Sequence, residues 1–178
     1  MADAPPILIE RPEPGVAVLR LNRPEALNAF TPAMMQAYHE ALNAIDQDAE
    51  VRVVVLAGEG RGFCSGLDLK SVALEPGGAH HGPIASMALQ ELFGASTPRM
   101  RRLRQPIVAA VRGPAVGVGF ALALAADVRV VGRSAKFLVG AVKIGLSAGE
   151  TGISYHLPRL IGAGRAFEVM LTGRPIAA

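Results

Sequence analysis

The sequence predicts an α/β fold built from repeated β-loop-α units, and three observations carry that expectation. Two short runs rich in apolar and β-branched residues, VVVL at 53–56 and IVAAV at 107–111, read as buried strands. Each ends in a glycine-rich loop, and each loop leads on to helical segments. Strands that alternate with helices in this way indicate a parallel sheet. The 178 residues suffice for one domain, 1–178, and an apolar share of 51% against 19% charged residues is that of a core-former, which excludes general disorder.

The elements follow in order. VAVLRL at 16–21 has strand composition and comes after a Pro/Gly turn, with a candidate partner at 7–10, so the chain should open on a hairpin. Thr31 supplies a side-chain N-cap and Pro32 a first helical position; Met34, Met35, Tyr38, Leu42 and Ile45 recur at helical spacing, which predicts a helix over 32–46. The run at 53–56 does not alternate and is expected to be covered on both faces. No regular element accommodates EPGGAHHGP at 75–83, and mobility is expected there. Helices should fill 84–93 and 97–103. Residues 113–119 read as a tight turn, 120–126 as a helix of small residues, and 128–131 and 136–138 as short strands. A last helix over 163–171 precedes TGRPI at 172–176, a strand-like start with no evident partner, which suggests a missing remainder.

Composition narrows the function classes. Apolar stretches are interrupted by Arg, Asp or Gly before transmembrane length, and the first fifteen residues lack the pattern of a signal peptide, so a cytoplasmic location is the expectation. A single cysteine, Cys64, leaves no disulfide and no cysteine cluster for zinc. The formal charge of +3 suits a polyanionic small ligand. Arg99, Arg101, Arg102 and Arg104 form a dense basic run, but with no Trp and 4% aromatics there are few stacking platforms for nucleic acid, and a solvated helix end is the favoured reading.

The two glycine loops are the informative features, because their backbone N–H groups can point at an anion. GVG at 117–119 lacks the third glycine of a dinucleotide fingerprint, neither loop closes on Gly-Lys-Ser/Thr, and GFCSG at 62–66 has its serine one position away from a nucleophile elbow. No histidine is recognisable as a base for Cys64, which reads as a small buried hydrophobe, and His80-His81 reads as a solvated loop feature.

Five ordered segments then carry a resemblance: LNRPEALNA at 21–29, GRGFCSGLDL at 60–69, QPIVAAVRGPAVGVG at 105–119, AADVR at 125–129 and LPRLIG at 157–162. Together they closely resemble the crotonase superfamily, the enoyl-CoA hydratase/isomerase family, from about Val16 to the last residue. The resemblance implies a crotonase-like spiral of repeated ββα units followed by a C-terminal helical region, absent from these 178 residues, that builds trimers and hexamers. It implies no prosthetic group; coenzyme A arrives as part of an acyl-CoA thioester substrate. The thioester oxygen would meet two backbone N–H donors, mapped by motif onto Leu67 and Val118, which stabilise an enolate. If the second loop needs positive φ at position 118, a β-branched valine there would be strained or displaced. Ala26, Leu27, Ser65, Asp68 and Leu69 would surround the CoA moiety; ordinary loop structure is the alternative for each. Met87, Leu92 and Phe93 could line an acyl-tail pocket, with core packing the favoured role.

Hydratases of the family use two glutamates to position water and move a proton. Their motif positions hold Ala121 and Ala141 here, which can do neither. One acid remains nearby, Glu150, at a site resembling the catalytic aspartate of dienoyl-CoA isomerases and some aromatic acyl-CoA dehalogenases. A first-turn carboxylate complementing a helix that begins near Thr151 explains Glu150 equally well. Three readings stay open: an isomerase or lyase, an acyl-CoA-binding protein without turnover, and a fragment that does neither.

Overall fold

In the computed structural model residues 4–74, 82–149 and 151–178 are described. The expected mobile stretch therefore lies almost wholly outside the described residues, as do His80, His81 and Glu150. The opening hairpin is present: β1 (Ile7–Glu13) pairs antiparallel with β2 (Val16–Leu21). Thr31 caps α1 (Pro32–Gln47) by accepting from the Met34 N–H at 3.1 Å, and Pro32 stands at the first turn, so the predicted start is met. Met34, Met35, Tyr38, Leu42 and Ile45 form its buried stripe.

β3 (Val53–Gly58), β4 (Ile107–Val111) and β6 (Val128–Val131) join β2 in parallel, giving a five-stranded sheet of order β1-β2-β3-β4-β6. In β3, Val54 and Leu56 are buried while Val53 and Val55 are half-buried. One face is thus fully covered, short of the expectation for both.

The second correction concerns 113–119, where a tight turn is expected. Pro114–Val116 is instead a strand, β5, which pairs with β7 (Lys136–Leu138) in a separate three-stranded sheet. The third concerns the end of the chain: β8 (Ile176–Ala177) pairs antiparallel with β7, so the strand-like start does have a partner. Both strands were hidden because two or three residues give no period; only their pairing defines them. An isolated bridge between Cys64 and Ala115 extends the same layer toward the first glycine loop. Each turn of the chain therefore contributes a strand to the large sheet, a short pairing in the small layer and then helices, which is the expected spiral of ββα units.

The helices fill the gaps between the layers. They are α2 (Leu69–Leu74), α3 (Pro83–Gly94), α4 (Ser96–Arg102), α5 (Val118–Ala125), α6 (Ile153–Ile161) and α7 (Ala163–Thr172). Every residue of α5 is buried, and its small side chains let it sit between two cores, one under the large sheet and one formed with α6 and α7. The basic run ends α4 as expected, with Arg101 donating to Asp127 and Arg104 paired with Asp46. Among the described residues no helix is long and apolar enough to cross a membrane.

Candidate functional site

The two glycine loops meet backbone to backbone. Gly66 (φ 103°) and Gly117 (φ 51°) occupy conformations that side chains disfavour, and a Cβ built on Gly66 would lie 3.0 Å from the Val116 carbonyl oxygen and 4.0 Å from Gly117 Cα. Two residues later, Gly119 packs so tightly on the first loop that a Cβ would fall 2.5 Å from the Cys64 carbonyl oxygen. Glycine is required at 117 for conformation and at 119 for space. Val118 itself opens α5, and the positive φ belongs to Gly117, so the expected strain on a β-branched residue does not arise.

Leu67 and Val118 each follow a contact glycine, and neither backbone N–H has a hydrogen-bond partner among the described residues. Peptide planarity gives their directions. The Gly66 carbonyl accepts from the Phe30 N–H at 2.8 Å, so the Leu67 N–H, trans to it, points away from Phe30. The Gly117 carbonyl accepts from Ala121 inside α5, so the Val118 N–H points out of the helix N-terminus, where the helix dipole favours negative charge.

Both residues line one cavity of about 720 Å³. Leu89 and Phe93 of α3 form one wall, and Val139, Ile144 and Leu146 another. Every described lining residue is uncharged, so a negative charge formed there would be met by dipoles, the two backbone N–H groups among them. Of the residues expected around CoA, Ser65 and Leu69 line the cavity, and Leu69 is half exposed. Ala26, Leu27 and Asp68 do not line it. The first two receive Ser65, whose N–H donates to Leu27 O and whose hydroxyl donates to Ala26 O, and Asp68 pairs with Arg23 at 3.2 Å. Phe93 lines the cavity and Leu92 packs on the core, whereas Met87 is exposed and does neither.

The two alanines differ. Ala141 borders the cavity, while Ala121 is fully buried behind it among Val139, Ile153 and Leu157. Glu150 lies outside the described residues; on either side of it in the chain, Ala148 and Thr151 line the cavity. Cys64 is buried as expected, its thiol pushed up to about 12 by burial, and its sulfur accepts from the Gly66 N–H.

One residue that ties the first glycine loop was missed, Asn28, which does not line the cavity. Its buried carboxamide Nδ2 donates to the carbonyls of Glu59, Gly62 and Phe63 at 2.9, 2.9 and 3.2 Å, and its backbone has φ 57°. Asparagine is among the few non-glycine residues that tolerate this conformation, the signal that could have drawn attention to it.

Residues 11–178 match the family model described as enoyl-CoA hydratase/isomerase. A probable enoyl-CoA hydratase, echA12, of Mycobacterium bovis is 47% identical over 173 residues, 97% of this chain and 61% of the relative. The crystal structure of a probable enoyl-CoA hydratase/isomerase from Mycobacterium abscessus superposes with a TM-score of 0.87 at 41% identity, covering 97% of this chain and 64% of that one. A monofunctional enoyl CoA isomerase from M. smegmatis gives a TM-score of 0.78, also at 41% identity, over 98% of this chain and 71% of its own. The chain thus spans about three fifths of the length of the curated relatives it matches. With the sequence match, the fold and the paired glycine loops in agreement, the chain belongs to the enoyl-CoA hydratase/isomerase family.

Proposed function

We propose that this chain forms the thioester-binding core of an acyl-CoA enzyme, in which the N–H groups of Leu67 and Val118 donate to the carbonyl oxygen of an enoyl-CoA and stabilise its enolate. The observation that carries the reading is the pair of N–H groups, unpartnered among the described residues, on one cavity of uncharged described lining where the two glycine loops meet. Preorganised donors of this kind contribute about 2.7 to 4 kcal/mol each to a transition state. The apolar walls suit an uncharged acyl group; Ser65 and Leu69 on the cavity lining would meet the CoA moiety, together with Asp68 between them in sequence and Ala26 and Leu27, whose carbonyls accept from Ser65. Coenzyme A is part of the substrate, and no prosthetic group enters the proposal. Assembly as a homotrimer or hexamer, where the C-terminal region is present, is carried over from the family resemblance, and a cytoplasmic location from the sequence expectation.

The chemistry proposed is proton transfer. Ala121 and Ala141 offer no ionisable group, so the two-glutamate route to hydration is not available to them. Glu150 remains as a single acid/base: on a 3-enoyl thioester its carboxylate would take a proton from the α carbon, the electron pair would delocalise into the dienolate held by the two N–H groups, and the proton would return at the γ carbon as the double bond moves to the α,β position. The names of the relatives include both hydratase and isomerase, and the single carboxylate favours the second. The specific alternative, motivated by the same two alanines, is a protein that binds acyl-CoA without turning it over.

Titration calorimetry with crotonyl-CoA, combined with product analysis on enoyl and dienoyl thioesters, tests both. Binding with double-bond migration that is lost in Glu150→Gln supports the isomerase; binding without turnover across the series supports the silent binder. No binding at all overturns the thioester site.

A further inference from the structure

We infer that Asn28 is a positioning residue for the first N–H donor, acting through the glycine loop; the inference rests on the thioester reading above. The loop is wrapped around the Asn28 carboxamide. Nδ2 donates to the carbonyls of Glu59, Gly62 and Phe63, while Oδ1 accepts from the Arg23 N–H at 2.9 Å, so a single side chain joins four backbone groups. The fit is close: a Cβ added to Gly58 would fall 2.8 Å from Nδ2 and 2.3 Å from the Phe63 carbonyl oxygen.

The residues on either side of Asn28 hold the rest of the loop. Leu27 O accepts from Ser65 at 2.9 Å, the Phe30 N–H donates to Gly66 O at 2.8 Å, and Phe30 O accepts from Asp68 at 2.8 Å. Leu67 is the residue left between these ties, and the plane of its amide is set by the Gly66 carbonyl bound to Phe30. The strap 27–30 therefore orients the donor, and the carboxamide of Asn28 fixes the strap to the loop at the correct height. Hydrogen bonds weaken steeply with misalignment, so a small shift of the loop would reduce polarisation of a bound carbonyl more than it reduces contact with the rest of the ligand.

Asn28→Gly tests this, because glycine keeps the positive φ and removes only the carboxamide. The probe is a cinnamoyl-CoA bearing a para-dimethylamino group, whose absorption moves to the red when its thioester carbonyl accepts hydrogen bonds. The wild-type chain is expected to bind it with a red shift, and N28G to bind within about threefold of the same affinity but without the shift. N28G retaining the full red shift overturns the inference. A ligand-free readout separates it from the underlying reading: in N28G the NMR amide signal of Leu67 should move while those of the β1/β2 hairpin stay in place, and an unmoved Leu67 signal overturns the positioning role whatever the ligand does. Wild-type protein that fails to bind the probe, or binds it unshifted, overturns the thioester reading and with it the role of Asn28. Asn28→Asp, which also tolerates the positive φ and lacks the Nδ2 donor, serves under the same two signals if N28G does not fold.

Discussion

Gly117 and Gly119 stand two positions apart in one loop and are needed for different reasons, which substitution separates. Gly117 has open space around a would-be Cβ, the nearest atoms being 3.9 and 4.0 Å away, so Gly117→Ala should cost only backbone strain, about 1 to 3 kcal/mol. Gly119→Ala would drive a methyl group into the Cys64 backbone and should cost about 3 kcal/mol or more, since neither α5 nor the bridged loop can give way without the other. Urea midpoints of the two variants give the comparison, and equal losses would refute it. His39 supplies a pH dependence. It is buried, its Nε2 has no partner among the described residues, and burial together with Arg99 lowers its pKa from 6.5 to about 4. The unfolded chain therefore takes up a proton first, so stability should fall as pH drops from about 6.5 toward 4 and rise again on return. His156, lowered by burial and by Arg101, Arg159 and Arg129, acts in the same direction. Urea titrations at pH 7 and pH 5 should show the loss, and His39→Leu should reduce it.

At the scale of elements, α1 shows how far local chemistry reaches. Its N-cap hydroxyl, its proline and its buried stripe were all legible, and the helix begins where Thr31 and Pro32 direct. Thr31→Ala should cost about 1 kcal/mol, measured as a shift in the urea midpoint at unchanged slope, because the Met34 N–H loses its partner. β5 and β8 were not legible, for a physical reason. Strands of three and two residues are defined by hydrogen bonds to β7, whose residues lie about twenty and forty positions away in the chain. Similarly, the motif fixed Leu67 and Val118 as residues to watch, but not the ψ and φ that aim their N–H groups. Those directions come from Phe30 and from the first turn of α5.

For the whole molecule the prediction is a ligand effect. A thioester that binds only the folded chain should raise its stability by about 2.7 kcal/mol at a hundredfold excess over Kd, so crotonyl-CoA should raise the melting temperature by more than free CoA does. Equal shifts with both compounds would place the binding energy in the CoA moiety and away from the two N–H donors. By itself the sequence determined the α/β class, the order of the main elements and the two glycine loops. Each of these depends on residue type and local spacing. Only the tertiary structure decided that Gly66 touches the other loop, that Ala141 borders the cavity while Ala121 is buried away from it, and that the Asn28 carboxamide bonds to carbonyls of the first loop. Those facts depend on backbone groups far apart in the chain coming within a few ångströms of one another, and local residue preferences do not specify such distances.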